Sequence, residues 1–442
     1  METNTNVNIT LTNKTNLEQA FNIRNIKKLT IAGEIGRPSF EFINKHMAQT
    51  LSELDISNAT IIEEDNEWIE ILVSSKFTHL KSISLGASIK DHTYTCKRIG
   101  HMLVSYGSPE RYEYTKIYSL FDISSLANID IHPNNPIYYS KEGVVFKKIE
   151  YKGSETSVDN IGDKYSLVRF PPTKSKHHYV VPDFVARIEE KAFAGCSELI
   201  SITLPNTISS IKKEAFTHCV NLKTINIPDS VVEIGANAFE GCKTLENIIL
   251  PKNLTIIADY TFEYCESLRQ ITIPESVTKI GTYAFAKSGL KNISIPTSIE
   301  EINKGAFRWC ENLEQVTLPN TIKIIEESTF QQCNSLKQIT IPDSVIQIDY
   351  DAFYASGLES VIIPKSVETI NVGAFSECKA LKQITFSNSK ICIKSYAFNR
   401  CLHLMHITIP NFIPDIEDDA FNNCPDFIVE NLEIPNDTEE NN

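Results

Sequence analysis

The residues of this 442-residue sequence most able to do chemistry are its eleven cysteines. Nine of them (Cys196, Cys219, Cys242, Cys265, Cys310, Cys333, Cys378, Cys401 and Cys424) stand at one place in a repeating unit. In a stack of repeats such neighbours lie about 5 Å apart, a spacing that permits disulfides or a ladder of metal ligands. A metal site, however, needs ligands converging on one point, commonly as Cys-x-x-Cys pairs. A column of single cysteines does not converge, and serine takes the same slot at Ser288 and Ser356. The nine are therefore read as buried, reduced thiols that act as small core residues. Cys96 and Cys392 are out of register and carry no role.

The other candidate chemistry is sparse. His177-His178 would point to opposite faces of a strand and cannot share a metal there. His403 and His406 read as a solvated surface pair. No His-Glu-x-x-His, Gly-x-Ser-x-Gly or phosphate-binding Gly-x-x-x-x-Gly-Lys pattern occurs. The acidic run Glu63-Glu64-Asp65-Asn66-Glu67 lacks the glycine and spacing of a calcium loop and is expected to be a solvated loop. Asn-x-Ser/Thr triplets at Asn8, Asn13, Asn58, Asn253 and Asn292 match a glycosylation acceptor but arise readily in an Asn/Thr-rich sequence. No catalytic residue, metal or cofactor is expected.

What must position these side chains is the repeat. Phe193, Phe216, Phe239, Phe262, Phe285, Phe307, Phe330, Phe353, Phe375, Phe398 and Phe421 are spaced by 22 or 23 residues. Both 22-residue spacings follow the serine copies, where Ser-Gly-Leu replaces Cys-x-x-Leu. Within a unit, Leu222, Ile225 and Ile227 end in the two-residue alternation of a short strand with one buried face. Pro228 stops the ladder because it has no N–H to donate. Val231 and Ile234 turn back inward, and Ala238-Phe239 fills the opposite wall. A unit this short cannot bury its own apolar edge, so copies must stack into one continuous core.

This pattern, Leu-x-x-Ile-x-Ile-Pro-x-Ser-Val-x-x-Ile-x-x-x-Ala-Phe-x-x-Cys, resembles the BspA-like class of leucine-rich repeats. The resemblance implies a leucine-rich repeat solenoid, with short parallel strands lining one face of a curved right-handed coil and few or short helices. It also implies a binding surface, because BspA-like proteins are commonly surface or secreted adhesion and interaction proteins. His132-Pro133-Asn134-Asn135-Pro136 and Tyr138 to Phe146 resemble a hairpin insertion of the same family, which 167–172 and Tyr179-Val180-Val181-Pro182 would complete. Residues 181–428 are thus expected to form eleven repeats, preceded by the hairpin-like insertion at 132–180. Residues 1–131 read as divergent, longer repeats with the N-terminal cap, or alternatively as a separate domain. Leu-x-x-Leu-x-Ile spacings begin at Ile26, Leu51, Leu80 and Leu126, with helical candidates at 39–48 and 67–75. Residues 429–442 are expected to be an acidic, disordered tail.

Composition limits the partners. Lys plus Arg is 42 against 56 Asp plus Glu, a formal charge of −14, which repels phosphate backbones. No nucleic-acid partner is expected. No apolar run reaches transmembrane length, so no transmembrane segment is expected, and Met1 to Asn6 show no leader signature.

On each strand the residue before the first Ile and the one between the two Ile point outward. This gives two columns of mostly uncharged hydrogen-bonding side chains: Asn247, Gln270, Thr272, Asn292, Gln315, Thr317, Gln338, Thr340, Gln383, Thr385 and His406. One reading is structural: Thr suits an exposed strand, and Asn or Gln stacks on its own kind. The other is a wide, shallow platform for a protein or glycan ligand. Trp309, in the small-residue position before Cys310, is expected on the other side. The function read from the sequence is non-enzymatic binding of a macromolecule, by a cell-surface or secreted adhesion or host-interaction protein. An intracellular scaffold or recognition protein, in the cytoplasm, is the alternative. Localisation turns on whether a leader precedes this sequence.

Overall fold

The computed structural model describes residues 6–11, 17, 26–61, 76–86, 123–149, 164–388, 390–410 and 415–431. The acidic run Glu63 to Glu67, the helical candidate 67–75, Cys96, Asn13 and the tail beyond 431 lie outside them. The chain divides into two compact units, 1–176 and 177–442.

In the first unit, strands β1 (Asn6–Leu11), β2 (Lys28–Ile35), β3 (Glu53–Ile61), β4 (Ser82–Leu85) and β5 (Asn128–Ile131) form one parallel sheet in chain order. Leu29, Leu54, Ile83 and Ile129 share a register and are all buried. These are the positions that the Leu-x-x-Leu-x-Ile spacing selects. One helix, α1 (Arg37–His46), begins with Pro38 in its first turn, where the missing N–H costs nothing. It buries Phe40 and Ile43, and Met47 just beyond its end, on one face. The hairpin follows as β6 (Tyr138–Lys141) and β7 (Val144–Lys148), antiparallel, closed by Glu142 and Gly143 at positive φ. β8 (Tyr165–Arg169) adds antiparallel to β7. Tyr179 and Val180 do not complete this insertion. They lie in His178–Val180, which pairs in parallel with Ser201–Thr203 and so belongs to the repeat stack.

The second unit is a parallel solenoid with a distinct backbone on each wall. On one wall the Leu-x-x-Ile-x-Ile segments pair turn on turn, as in Ser201–Thr203 with Thr224–Asn226 and then Asn247–Ile249. A second parallel ladder runs through the Val-x-x-Ile positions, as in Ser210–Ile211 with Glu233–Ile234. At the third wall the eleven phenylalanine rings stack in one file, with centroids 4.9–5.6 Å apart and planes within 16°. Near-parallel rings at that separation are offset, the arrangement that the ring quadrupole favours over a face-to-face sandwich. Thr261 and Thr329, in the slot that alanine usually fills, each donate a hydroxyl to the carbonyl three residues back at 2.7 Å. The last strand, Ile428–Asn431, pairs with His406–Ile409, so the first residues assigned to a disordered tail are ordered.

The strand wall differs from expectation at two places. Gln270 to Thr272 and Gln338 to Thr340 keep the inward-outward alternation but form no ladder. Each lies on the turn directly before a shortened repeat, where one residue fewer must span the same distance. There the chain presses onto the turn below: Gly289 donates to the Cys265 carbonyl and Gly357 to that of Cys333, both at 3.1 Å. A Cβ at Gly289 would lie 2.2 Å from the Glu266 carbonyl oxygen, and one at Gly357 2.0 Å from that of Asn334. Gly289→Ala should therefore cost about 3 kcal/mol, the upper part of the overpacking range. Gly195→Ala, which meets nothing within 4 Å and strains only a φ of +72°, should cost about 1 kcal/mol. Urea unfolding midpoints for the two variants measure the difference, and equal losses would remove the steric account.

Candidate functional site

Among the described residues the cysteine column holds no disulfide and no converging set of three metal-ligating side chains. All ten described cysteines are free thiols. The column has a bonding role that the spacing alone does not show. Eight thiols, from Cys219 to Cys424, each donate to the carbonyl of the phenylalanine one turn back, with Sγ···O distances of 3.0–3.4 Å. A serine hydroxyl sits 3.3 Å from the next thiol at Ser288–Cys310 and Ser356–Cys378. Burial pushes the thiols of Cys219, Cys242, Cys265 and Cys333 up, Cys310 to about 12 and Cys378 to about 11. Thiols held protonated in this way are poor nucleophiles. At the end of the column, the neighbouring Cys424 thiol and burial raise Cys401 in the same direction.

The strand wall presents its outward columns to solvent. Asn247, Gln270, Thr272, Asn292, Gln315, Thr317, Gln338, Thr340 and Gln383 are exposed, while Thr385 and His406 are half-buried. Inward partners such as Ile248, Ile293 and Ile384 are buried, so the exposure follows from strand alternation. The ladder puts Asn292 beside Gln315 and Gln383 beside His406. It does not pair Gln270 or Gln338 with a neighbour, because those turns carry no strand. Among the described residues, Asn247, Gln270, Asn292, Gln315, Gln338 and Gln383 make no side-chain hydrogen bond. The amides therefore do not zip up along the column. Asn226 behaves otherwise: its Oδ1 accepts from the Leu204 N–H at 3.0 Å and its Nδ2 donates to the Leu204 carbonyl at 3.2 Å. Ile249 and Ile362, 80% and 64% exposed, interrupt the polar columns with apolar points. His406 Nδ1 lies 3.5 Å from the Glu430 carboxylate.

A second group was only partly legible. Tyr260, Tyr264, Tyr283, Lys287, Arg308 and Trp309 gather on the phenylalanine wall. Only Trp309 stood out in the sequence, although all six occupy the same few slots around successive phenylalanines.

Solved structures of bacterial leucine-rich repeat proteins are similar to this chain. One from Bacteroides ovatus is 24% identical over 60% of this chain and 70% of its own, with a TM-score of 0.43. Another from Eubacterium ventriosum is 19% identical over 76% and 78%, with a TM-score of 0.44. The T. pallidum leucine-rich repeat protein is 24% identical over 53% and 91%, with a TM-score of 0.32. No curated protein matches the chain. The family model described as the BspA type leucine rich repeat region matches residues 186–314 and 300–428. That match spans more than half of the sequence and the whole stack of phenylalanine, cysteine and outward amides. The chain belongs to the BspA-type leucine-rich repeat family.

Proposed function

We propose that this protein binds a macromolecule through the strand wall of its second unit, without catalysis. The supporting observation is the file of solvent-facing amides with no hydrogen-bond partner among the described residues. These donors and acceptors are held by paired strands or by turns of the same alternation, so little ordering cost attends binding. A protein or glycan surface rich in hydrogen-bonding groups is the complementary partner, and Ile249 and Ile362 supply apolar contacts. Adhesion or host interaction at a cell surface is the reading in keeping with the family. The free state of all described cysteines favours the second reading, an intracellular scaffold in a reducing compartment. No helix among the described residues is long and apolar enough to cross a membrane.

Protease shaving of intact source cells separates the two readings: loss of the protein from unbroken cells places it outside, and full protection until lysis places it inside. The platform itself is tested by Gln315→Ala, Gln338→Ala and Gln383→Ala combined. Titration of a ligand captured from a panel of matrix proteins and glycans should then show at least about tenfold weaker binding, at about 1 kcal/mol per lost hydrogen bond. The melting temperature should not move, because these side chains make no internal hydrogen bond among the described residues. Unchanged affinity would exclude the strand wall.

A further inference from the structure

On the phenylalanine wall two cations, Lys287 and Arg308, break the rule followed elsewhere in the second unit. There, lysines mostly meet a carboxylate of a neighbouring turn, as in Lys212–Glu233 at 2.6 Å, Lys279–Glu301 at 2.7 Å and Lys304–Glu327 at 2.6 Å. Lys287 and Arg308 have no carboxylate within 4 Å among the described residues. They lie instead on aromatic faces. The Lys287 ammonium is 4.7 Å from the Tyr264 ring centre and 4.2 Å from that of Trp309. The Arg308 guanidinium is 4.2 Å from the Trp309 ring and 5.9 Å from that of Tyr283. Gly305 makes this possible, since a Cβ there would lie 2.3 Å from the Tyr283 ring.

A half-exposed cation over a ring contributes no more to stability than an exposed ion pair does. Stability therefore does not explain why aromatic side chains replace the usual carboxylates here. The difference lies in what remains open: an ion pair neutralises its cation, whereas a ring leaves the charge able to take an anion. Arg308 also has a buried Nε with no acceptor, and in the same slot one turn on, Gln331 has a buried Oε1 with no donor. Around the pair stand further polar groups. The carboxyls of Glu263 and Asp351 are raised by partial burial and by nearby acids, with Lys287 and Arg308 acting in the opposite sense on Glu263 and Arg308 on Asp351.

We propose that Lys287, Arg308, Trp309 and Tyr264 form a second ligand site, for a saccharide that carries a carboxylate. The two cations take the carboxylate. Glu263, Gln331 and the tyrosine hydroxyls match sugar hydroxyls, which both donate and accept. An acidic peptide fits less well, because the slots flanking the phenylalanines here hold no exposed aliphatic side chain to receive its apolar residues. The site is separate from the strand wall and does not depend on the function proposed for that wall.

Isothermal titration of the full chain with trigalacturonic acid tests the site, with its methyl ester and a hexaglutamate peptide as the comparison probes. The acid should bind at least tenfold tighter than either, and several-fold more weakly in 0.5 M salt. The combined substitutions Lys287→Met and Arg308→Met should abolish the difference between acid and ester. The triple strand-wall variant at Gln315, Gln338 and Gln383 should bind the acid as the wild type does. The proposal is overturned if the acid does not bind, if the ester binds equally, if hexaglutamate binds equally, or if the strand-wall variant loses the acid. Comparison of acid with ester on the unaltered protein decides the question even should the double variant fail to fold.

Discussion

Phe307→Ala is expected to lower the unfolding free energy by about 3–5 kcal/mol, the range for truncating a fully buried aromatic core residue. The ring is inaccessible to solvent and lies between Phe285 at 5.5 Å and Phe330 at 5.6 Å, with interplanar angles of 3° and 4°. Its removal opens a void between two layers that cannot close, because both neighbours are held by their own backbone bonds. The Phe285 N–H donates to the Ala306 carbonyl at 2.8 Å, and the Phe330 N–H to the Ala352 carbonyl at 2.7 Å. Phe421→Ala is the internal comparison. That ring ends the file, is only half-buried and stacks on Phe398 alone within it, so its loss should be less than half as large. Urea unfolding of both variants checks the ratio. A loss below 1 kcal/mol at Phe307 would show that the rings do not carry the core.

Alkaline pH should unfold the second unit, and the thiols are the reason. Burial raises the folded-state values of Cys219, Cys242, Cys265, Cys310, Cys333 and Cys378 above the ordinary value of 9.0. The folded chain keeps these protons while the unfolded chain releases them. Stability is thus complete below pH 9 and falls as pH rises above it, until each thiol ionises in the folded state as well, near 11 for Cys378 and 12 for Cys310. At pH 10 the loss is about 1 kcal/mol for a thiol whose folded value lies well above 10, as for Cys310 and Cys378, and several kcal/mol for the column together. That is comparable to the whole stability of a typical domain. Urea midpoints at pH 8 and pH 10 measure the fall. Replacing Cys219, Cys265 and Cys333 with alanine should halve the difference between the two pH values, while an equally steep fall in that variant would place the effect elsewhere.

Both expectations rest on residues whose positions were plain in the sequence, although their energetics were not. Strand phase was legible because the buried Ile or Val alternates with an exposed neighbour, and only one register hides the apolar set. The outward columns from Asn247 to His406 follow from the same alternation. In the first unit, the spacings at Ile26, Leu51, Leu80 and Leu126 found four of the five parallel strands by the same logic. The strand Asn6–Leu11 was not found: Val7, Ile9 and Leu11 alternate with polar residues as a strand does, but Asn4 stands where the repeat spacing has its first Leu.

The sequence by itself determined the period, the inward set and the identity of the repeat, because burial of a recurrent apolar edge leaves a single way to stack it. Only the tertiary structure decided the backbone of the phenylalanine wall. Each phenylalanine but the last is flanked, two residues on either side, by positions in the left-handed region, among them Lys191, Glu214, Asn237, Tyr260 and Tyr283 before it, and His218, Tyr264, Lys287, Trp309 and Arg400 after it. Such residues rarely choose that conformation locally. They adopt it because the N–H groups between and beside them donate to the next turn, as Phe216 does to Ala238 at 2.8 Å and His218 to Glu240 at 2.7 Å. Local propensity is outweighed by bonds that exist only once turns are stacked. The same stacking left the outward amides unpaired, joined each thiol to the carbonyl one turn back, and brought Lys287 and Arg308 onto one indole, because all three depend on which side chain lies one turn away.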